Sequence, residues 1–143
     1  MDEACPLNDP ACGSERDAVK AMLGMHRVAV VGMSPDPYKA GNYVPKSLRE
    51  GGREIVPVNP NYDEIDGLKC YPSLADVPGQ IEGVLVFRRP EHCGAVAKDA
   101  AAVKAKGLWL QSGIVSAEAR KVAREAGMWY VESRCMMVEA GRS

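Results

Sequence analysis

The chain has 143 residues, 46% hydrophobic and 26% charged, which is the balance of one soluble globular domain with a single continuous core, and a second domain is not expected. Eighteen Lys and Arg against nineteen Asp and Glu give a formal net charge of −1, so no global field recruits nucleic acid or a membrane surface, and any anion must be captured locally. No apolar run approaches bilayer-spanning length, and the first twelve residues carry acids and prolines where a signal peptide carries a basic start and an apolar stretch, so a cytoplasmic protein is expected.

Residues 1–13, "MDEACPLNDPACG", are rich in Pro, Asp and Asn without hydrophobic period; they read as a surface arm ahead of a single domain over 14–143. "SERDAVKAML" predicts the first helix, with Ser14 as N-cap and Val19, Met22 and Leu23 on one face. "RVAVV" at 27–31 is too continuously apolar for a strand with one wet face and predicts one buried on both. A helix over "YVPKSLREGG" follows, stopped by Gly51 and Gly52, then a strand "EIVPV" at 54–58 whose Pro57 needs a position without a ladder partner.

"GLKCYPSLADVP" predicts a short third strand and a helical turn capped by Ser73, and "GVLVF" at 83–87 another buried strand. "PEHCGAVAKDAAAVKAKG" predicts a long helix with Pro90 near its first position and Gly107 just past its end. Strand "LWLQ", helix "SAEARKVAREAG" ending at Gly127, strand "WYVES" and a short tail "RCMMVEAGRS" complete the chain. Strands alternating with helices predict an α/β fold, a Rossmann-like doubly wound, mainly parallel sheet of five to six strands with helices on both faces. Such sheets take ligands outside the carboxyl ends of their strands, so the residues following each strand are the candidates.

After the first strand comes "GMSPDP", where a dinucleotide fingerprint would have three glycines and this chain has Gly32, Ser34 and Pro37. Without the second glycine the NAD geometry is disfavoured, while the Ser34 hydroxyl and nearby N–H groups suit a phosphate; a plain tight turn fits as well. Lys39, further along, is a second phosphate candidate or a solvated surface charge. After the second strand stand Asn59 and Pro60, neutral where an NAD enzyme carries an acid; a turn is the simpler reading. Arg88 and Arg89 precede a helix start and form a local anion site unless they lie free on the surface or pair with Glu91. Gln111 and Ser112 follow the next strand and offer donors and acceptors to a ligand's polar edge, while Arg134 and Cys135 close the rim or pack the tail.

Five cysteines, at 5, 12, 70, 93 and 135, are odd in number and scattered, which reads as reduced thiols and no metal site. Cys93, beside His92 at a helix start, is a redox or mixed-disulfide candidate or else a small buried thiol. His26 precedes the first strand and is assigned no function. No nucleophile, base and acid stand together at these strand ends, so no catalytic set is read.

The stretches "VAVVGMSPDP", "IVPVNPNY", "GLKCYPSLADVP", "VLVFRRPE", "LWLQSGI" and "AGMWYVESRCM" occur in that order between about Val28 and Met136. Together they resemble the small stand-alone CoA-binding proteins, whose Rossmann domain is similar to the N-terminal domain of the succinyl-CoA synthetase α subunit. The resemblance implies a coenzyme A or acyl-CoA ligand across the strand ends, its ADP part near Gly32 and Ser34, with Asn59, Pro60, Phe87, Arg88 and Arg89 beside it. Lys39 is carried over for its charge, since "YKAG" stands where Arg-Pro is common, and Gln111 and Ser112 as matches of position. The synthetase's phosphorylated histidine lies in a domain these residues do not contain, so ligase activity is not carried over. A CoA-binding module without catalysis is the expectation; an NAD(P)-dependent enzyme, a thiol regulator forming a mixed disulfide with CoA through Cys93 or Cys135, and a regulatory partner with a vestigial site are the alternatives. A small molecule is the expected partner, with a homodimer left open.

Overall fold

The computed structural model describes residues 15–142; the arm at 1–13 and the Ser14 cap lie outside the described residues. Five parallel strands form the sheet, β1 (Arg27–Val31), β2 (Glu54–Val58), β5 (Gly83–Val86), β6 (Gly107–Leu110) and β7 (Trp129–Val131), in the order β2-β1-β5-β6-β7. Helices α1 (Glu15–Leu23), α2 (Ala40–Glu50) and α5 (Met136–Arg142) cover one face, and α3 (Pro90–Ala102) with α4 (Ala117–Glu125) the other. This is a Rossmann-like α/β fold, with its switch point between β1 and β5, where α2 leaves for one face and α3 for the other.

Alternation along the strands fills both cores. Val28 and Val30 of β1, Leu85 of β5 and Trp109 of β6 pack on the α1, α2 and α5 side, while Ala29, Val84, Val86, Leu108 and Leu110 pack under α3 and α4. Pro57 sits on the outer edge of β2, where its missing N–H faces no strand of the sheet, and its carbonyl accepts from Tyr71 N at 3.0 Å.

Several expectations are corrected. The short third strand does not enter the sheet: Glu64–Ile65 (β3) and Leu68–Lys69 (β4) form an antiparallel hairpin. Its two-residue turn, Asp66 and Gly67, has φ of 53° and 79°, the left-handed pair such hairpins require. Gly107 does not stop α3; it lies inside β6, in register with Gly83 of β5, and a Cβ there would meet the Met22 sulfur at 2.9 Å. The two glycines open the sheet face for fully buried Met22, which docks α1. The tail is helix α5, held because Met136 is buried and Met137 and Ala140 pack beside it. Ser73 stands at the cap of the 3-10 turn Leu74–Asp76, but its hydroxyl bonds the Asp76 carboxylate at 2.8 Å instead of a backbone N–H. Among the described residues no helix is long and apolar enough to cross a membrane.

Candidate functional site

Val58, Val31, Val86 and Leu110 end their strands at one level. Hydrogen bonding continues one step beyond: Gly32 N donates to Val58 O at 2.9 Å, Phe87 N to Val31 O at 2.9 Å, and Gln111 N to Val86 O at 3.3 Å. Asn59, Gly32, Phe87 and Gln111 therefore stand side by side along the carboxyl edge.

Gly32 has φ of +86°, and a Cβ on it would lie 2.6 Å from Phe87 O and 3.2 Å from the Arg88 side chain. Both the backbone conformation and the close approach of β1 to β5 require glycine here. The following loop is fixed by a device inside α2. Pro45 has no N–H to give to the carbonyl four residues earlier, that of Gly41. This carbonyl instead accepts from Ser34 N at 3.1 Å, and the absence of a Cβ on Gly41 admits Gly32 O to 3.2 Å of the position one would take. Asn42, buried, donates from Nδ2 to Ser34 O and to the Asp66 carboxylate, both at 2.8 Å. Asn59 donates to Met33 O at 3.0 Å, and Ser34 Oγ accepts from Asp36 N at 3.1 Å. The loop after β1 is thus held from α2, from β2 and from within.

Beside the switch point, on the α3 face, a cavity of about 360 Å³ is lined by Gly32, Asn59, Pro60, Ser73, Arg88 and Asp99, over a floor including Val31, Val58, Leu74 and Val96. Four expected residues line it: Gly32, Asn59, Pro60 and Arg88. Lys39 caps α2 and is exposed, as are Arg89 and Ser112, outside that lining. Among the described residues neither Arg88, Arg89 nor Lys39 forms an ion pair, so the expected alternative of an arginine paired with Glu91 is not what the chain adopts. One unpaired arginine in the wall of a partly apolar cavity suits a ligand with a phosphate and an apolar body.

Other candidates serve the scaffold. Phe87 packs against the core on the α1, α2 and α5 side, away from the cavity. Gln111 is 4% exposed, and its Oε1 accepts from Met136 N at 3.3 Å, receiving the start of α5. Cys93 is fully buried, its thiol directed at the carbonyls of Arg88 and Arg89 at 3.7 and 3.5 Å. Burial pushes that thiol above its ordinary value despite the opposing field of Arg88, which fits the small buried thiol, the ordinary one of the two expected alternatives for Cys93. Tyr130 is held well above the ordinary phenol range by burial and by Glu132, to which it donates at 2.8 Å. Asp99, Gly41, Asn42 and Pro45 were missed. A proline inside a helix, four residues after a glycine, was the one signal in sequence for the last device. Among the described residues no three His, Cys, Asp or Glu side chains gather as metal ligands.

A doubly wound α/β domain with a cavity at its switch point belongs to the Rossmann-like class, in which ligands bind at that crevice. The family described as a CoA binding domain matches residues 26–141, and the chain belongs to it. It is similar to the uncharacterized protein YneT of Bacillus subtilis, 38% identical over 112 residues, covering 78% of this chain and 83% of that one. A hypothetical protein from Pyrococcus horikoshii OT3 superposes with a TM-score of 0.86 at 38% identity, covering 99% of this chain and 98% of its own. An ADP-forming acetate–CoA ligase of Archaeoglobus fulgidus is 33% identical over 120 residues, 76% of this chain but only 17% of the ligase.

Proposed function

We propose that the protein is a cytoplasmic CoA or acyl-CoA binding module without catalysis of its own. The observation that carries this is the cavity of about 360 Å³ at the switch point, with Gly32, Asn59, Pro60 and unpaired Arg88 in its wall, in a chain matched over residues 26–141 by the CoA binding domain family. In this reading Gly32 brings the backbone of the β1 turn to the ADP part. Arg88 and Arg89 hold phosphate oxygens, Lys39 supplies charge from the α2 cap, and Ser34 donates its hydroxyl. Asn59 and Pro60 bound the base side, Phe87 fixes the strand end behind them, and Gln111 and Ser112 continue the rim.

Asp99 favours a second reading. Its carboxylate reaches the cavity from α3 and supplies the acid that the second strand lacks, as a partner for a free ribose hydroxyl of NAD. Calorimetric titration with CoA, dephospho-CoA and NAD, on the wild type and on Arg88→Ala with Arg89→Ala, separates the two. The expected result is binding of CoA that weakens at least about tenfold without the 3′-phosphate or without the arginines. Preference for NAD establishes the second reading, and binding of none of the three overturns both.

A further inference from the structure

We infer that a second cavity, behind the loop that follows β1, is a site for a small zwitterion, an α-amino acid with an aliphatic side chain, and that its occupancy is felt in that loop through Asp66 and Asn42. The cavity holds about 290 Å³ between α2, the edge strand β2 and the β3-β4 hairpin. Its floor is apolar, made by Met33, Ile55 and Leu68, which belong to the core on the α1, α2 and α5 side. The first cavity stands over Val31, Val58 and Val96, on the α3 and α4 side, so the two lie on opposite faces of the sheet. The inference is therefore independent of the CoA reading.

The rim carries both signs of charge. Lys46 and Arg49 lie about one turn apart on α2 and share a face, and Asp66 stands in the hairpin turn. All three are exposed, and among the described residues none of them forms an ion pair. Opposite charges that border one cavity without meeting leave a gap that a molecule carrying both signs closes. A plain anion is repelled by Asp66, and a plain cation by Lys46 and Arg49. An α-amino acid answers each part: its carboxylate suits the Arg49 fork, its ammonium the Asp66 carboxylate, and its side chain the apolar floor. The volume lies near the lower limit of ligand pockets, roughly 300 Å³, which suits a ligand of that size. Asp66 has φ of 53°, and one of its carboxylate oxygens accepts from Asn42 Nδ2, which also donates to Ser34 O. Met33 lines the floor while its carbonyl accepts from Asn59 at 3.0 Å. A ligand that fixes Asp66 and covers Met33 therefore stiffens the loop after β1 from behind.

NMR titration of the full, isotope-labelled chain tests this, with leucine, glycine, N-acetylleucine and leucinamide as probes and no CoA present. Leucine should shift the amides of Met33, Lys46, Arg49, Asp66 and Leu68. It should bind at least about tenfold more tightly than glycine, which has no side chain to bury. It should also bind at least about fivefold more tightly than N-acetylleucine, which lacks the ammonium, or leucinamide, which lacks the carboxylate. Arg49→Gln and Asp66→Asn should each weaken leucine by about fivefold; asparagine tolerates the left-handed conformation and still accepts from Asn42, so the hairpin is kept. At saturation with leucine, hydrogen exchange of the Ser34 amide should slow. No shifts with leucine at millimolar concentration overturn the site, and equal binding of either analogue overturns the zwitterion. Binding that leaves Ser34 exchange unchanged overturns the link to the loop.

Discussion

Arg88 follows β5 and Arg134 follows β7, both on the carboxyl edge of one sheet, yet their surroundings are opposite. Arg134 bridges Glu15 and Glu139, and its backbone carbonyl accepts from the Trp109 indole at 2.7 Å, tying α1, β6 and α5 together. Arg88 has no ion pair among the described residues and lines a cavity beside a glycine turn. A guanidinium whose charge is already answered holds the fold together; one left unanswered at a cavity is available to an anion from outside. Sequence alone already favours Arg88, which stands with Arg89 before a helix start, over Arg134, which reads as rim or tail packing.

The sharpest way to break this comparison is through glycine. Gly32 and Gly113 both have positive φ, +86° and +82°, one following β1 and the other β6, but a Cβ on Gly32 would meet Phe87 O at 2.6 Å and one on Gly113 nothing within 4 Å. Gly113→Ala should cost only the conformational strain, about 1–2 kcal/mol. Gly32→Ala adds the displacement of β5 and should cost about 2–4 kcal/mol, with loss of ligand binding. Equal destabilisation of the two in urea unfolding would mean that the strand ends at the switch point give way easily, and that the turn is not built to a fixed shape.

Next in size is the pair of arginines themselves. Arg88→Ala should weaken CoA binding by about 1.5–3 kcal/mol, the range for a hydrogen-bonded charge, while leaving the unliganded Tm nearly unchanged. Arg134→Ala should do the reverse, lowering the Tm and leaving affinity for the ADP part alone. Measuring Tm and Kd on both variants separates the roles; a lowered unliganded Tm in Arg88→Ala would make that arginine structural too.

Much of this edge is legible in sequence, because buried parallel strands are short apolar runs and the residue after each one lands on the ligand side of the sheet. Gly32, Asn59, Pro60 and Arg88 were found that way. What strand ends do not reveal is which face a side chain takes: Phe87 and Arg88 are neighbours, and the alternation of a strand sends the first into one core and the second to the cavity. Gln111 was singled out for a ligand's polar edge, whereas its oxygen receives Met136 N, which belongs to a helix too short to be legible beforehand. Asp99 lies deep in α3, and only the packing of that helix over the sheet brings it to the cavity. The Asp66–Gly67 hairpin was legible as a turn pair and was passed over; through Asn42 it also supports the loop after β1.

Pro45 gives a smaller and less ordinary test. Pro45→Ala restores an N–H that can bond Gly41 O, the carbonyl now taken by Ser34 N. The helix should gain while the loop loses its anchor, so stability should hold or rise as CoA affinity falls a few-fold, on the order of 0.5–1 kcal/mol for one neutral hydrogen bond. A rise in both would show that the loop is positioned by Asn42 and Asn59 alone.

The smallest effect lies at the answered arginine. The hydrogen bond from Arg134, aided by its charge and opposed by slight burial, holds the Glu15 carboxyl below the ordinary glutamate value. A carboxyl whose folded pKa is depressed contributes stability that is complete above its unfolded pKa and is lost as pH falls through the folded value. Arg134 is shifted upward by the same contact, which matters only at strongly alkaline pH. In unliganded protein the wild type should therefore exceed Glu15→Gln in Tm near neutral pH, and the two should converge below the ordinary glutamate range. Because Glu15 is half exposed the difference should be small and should shrink in salt. Arg88→Ala should follow the wild-type acid profile throughout, since Arg88 pairs with no carboxylate among the described residues; a changed acid slope in that variant would mean that an acid answers Arg88 after all, with Asp99 across the cavity as the first to suspect.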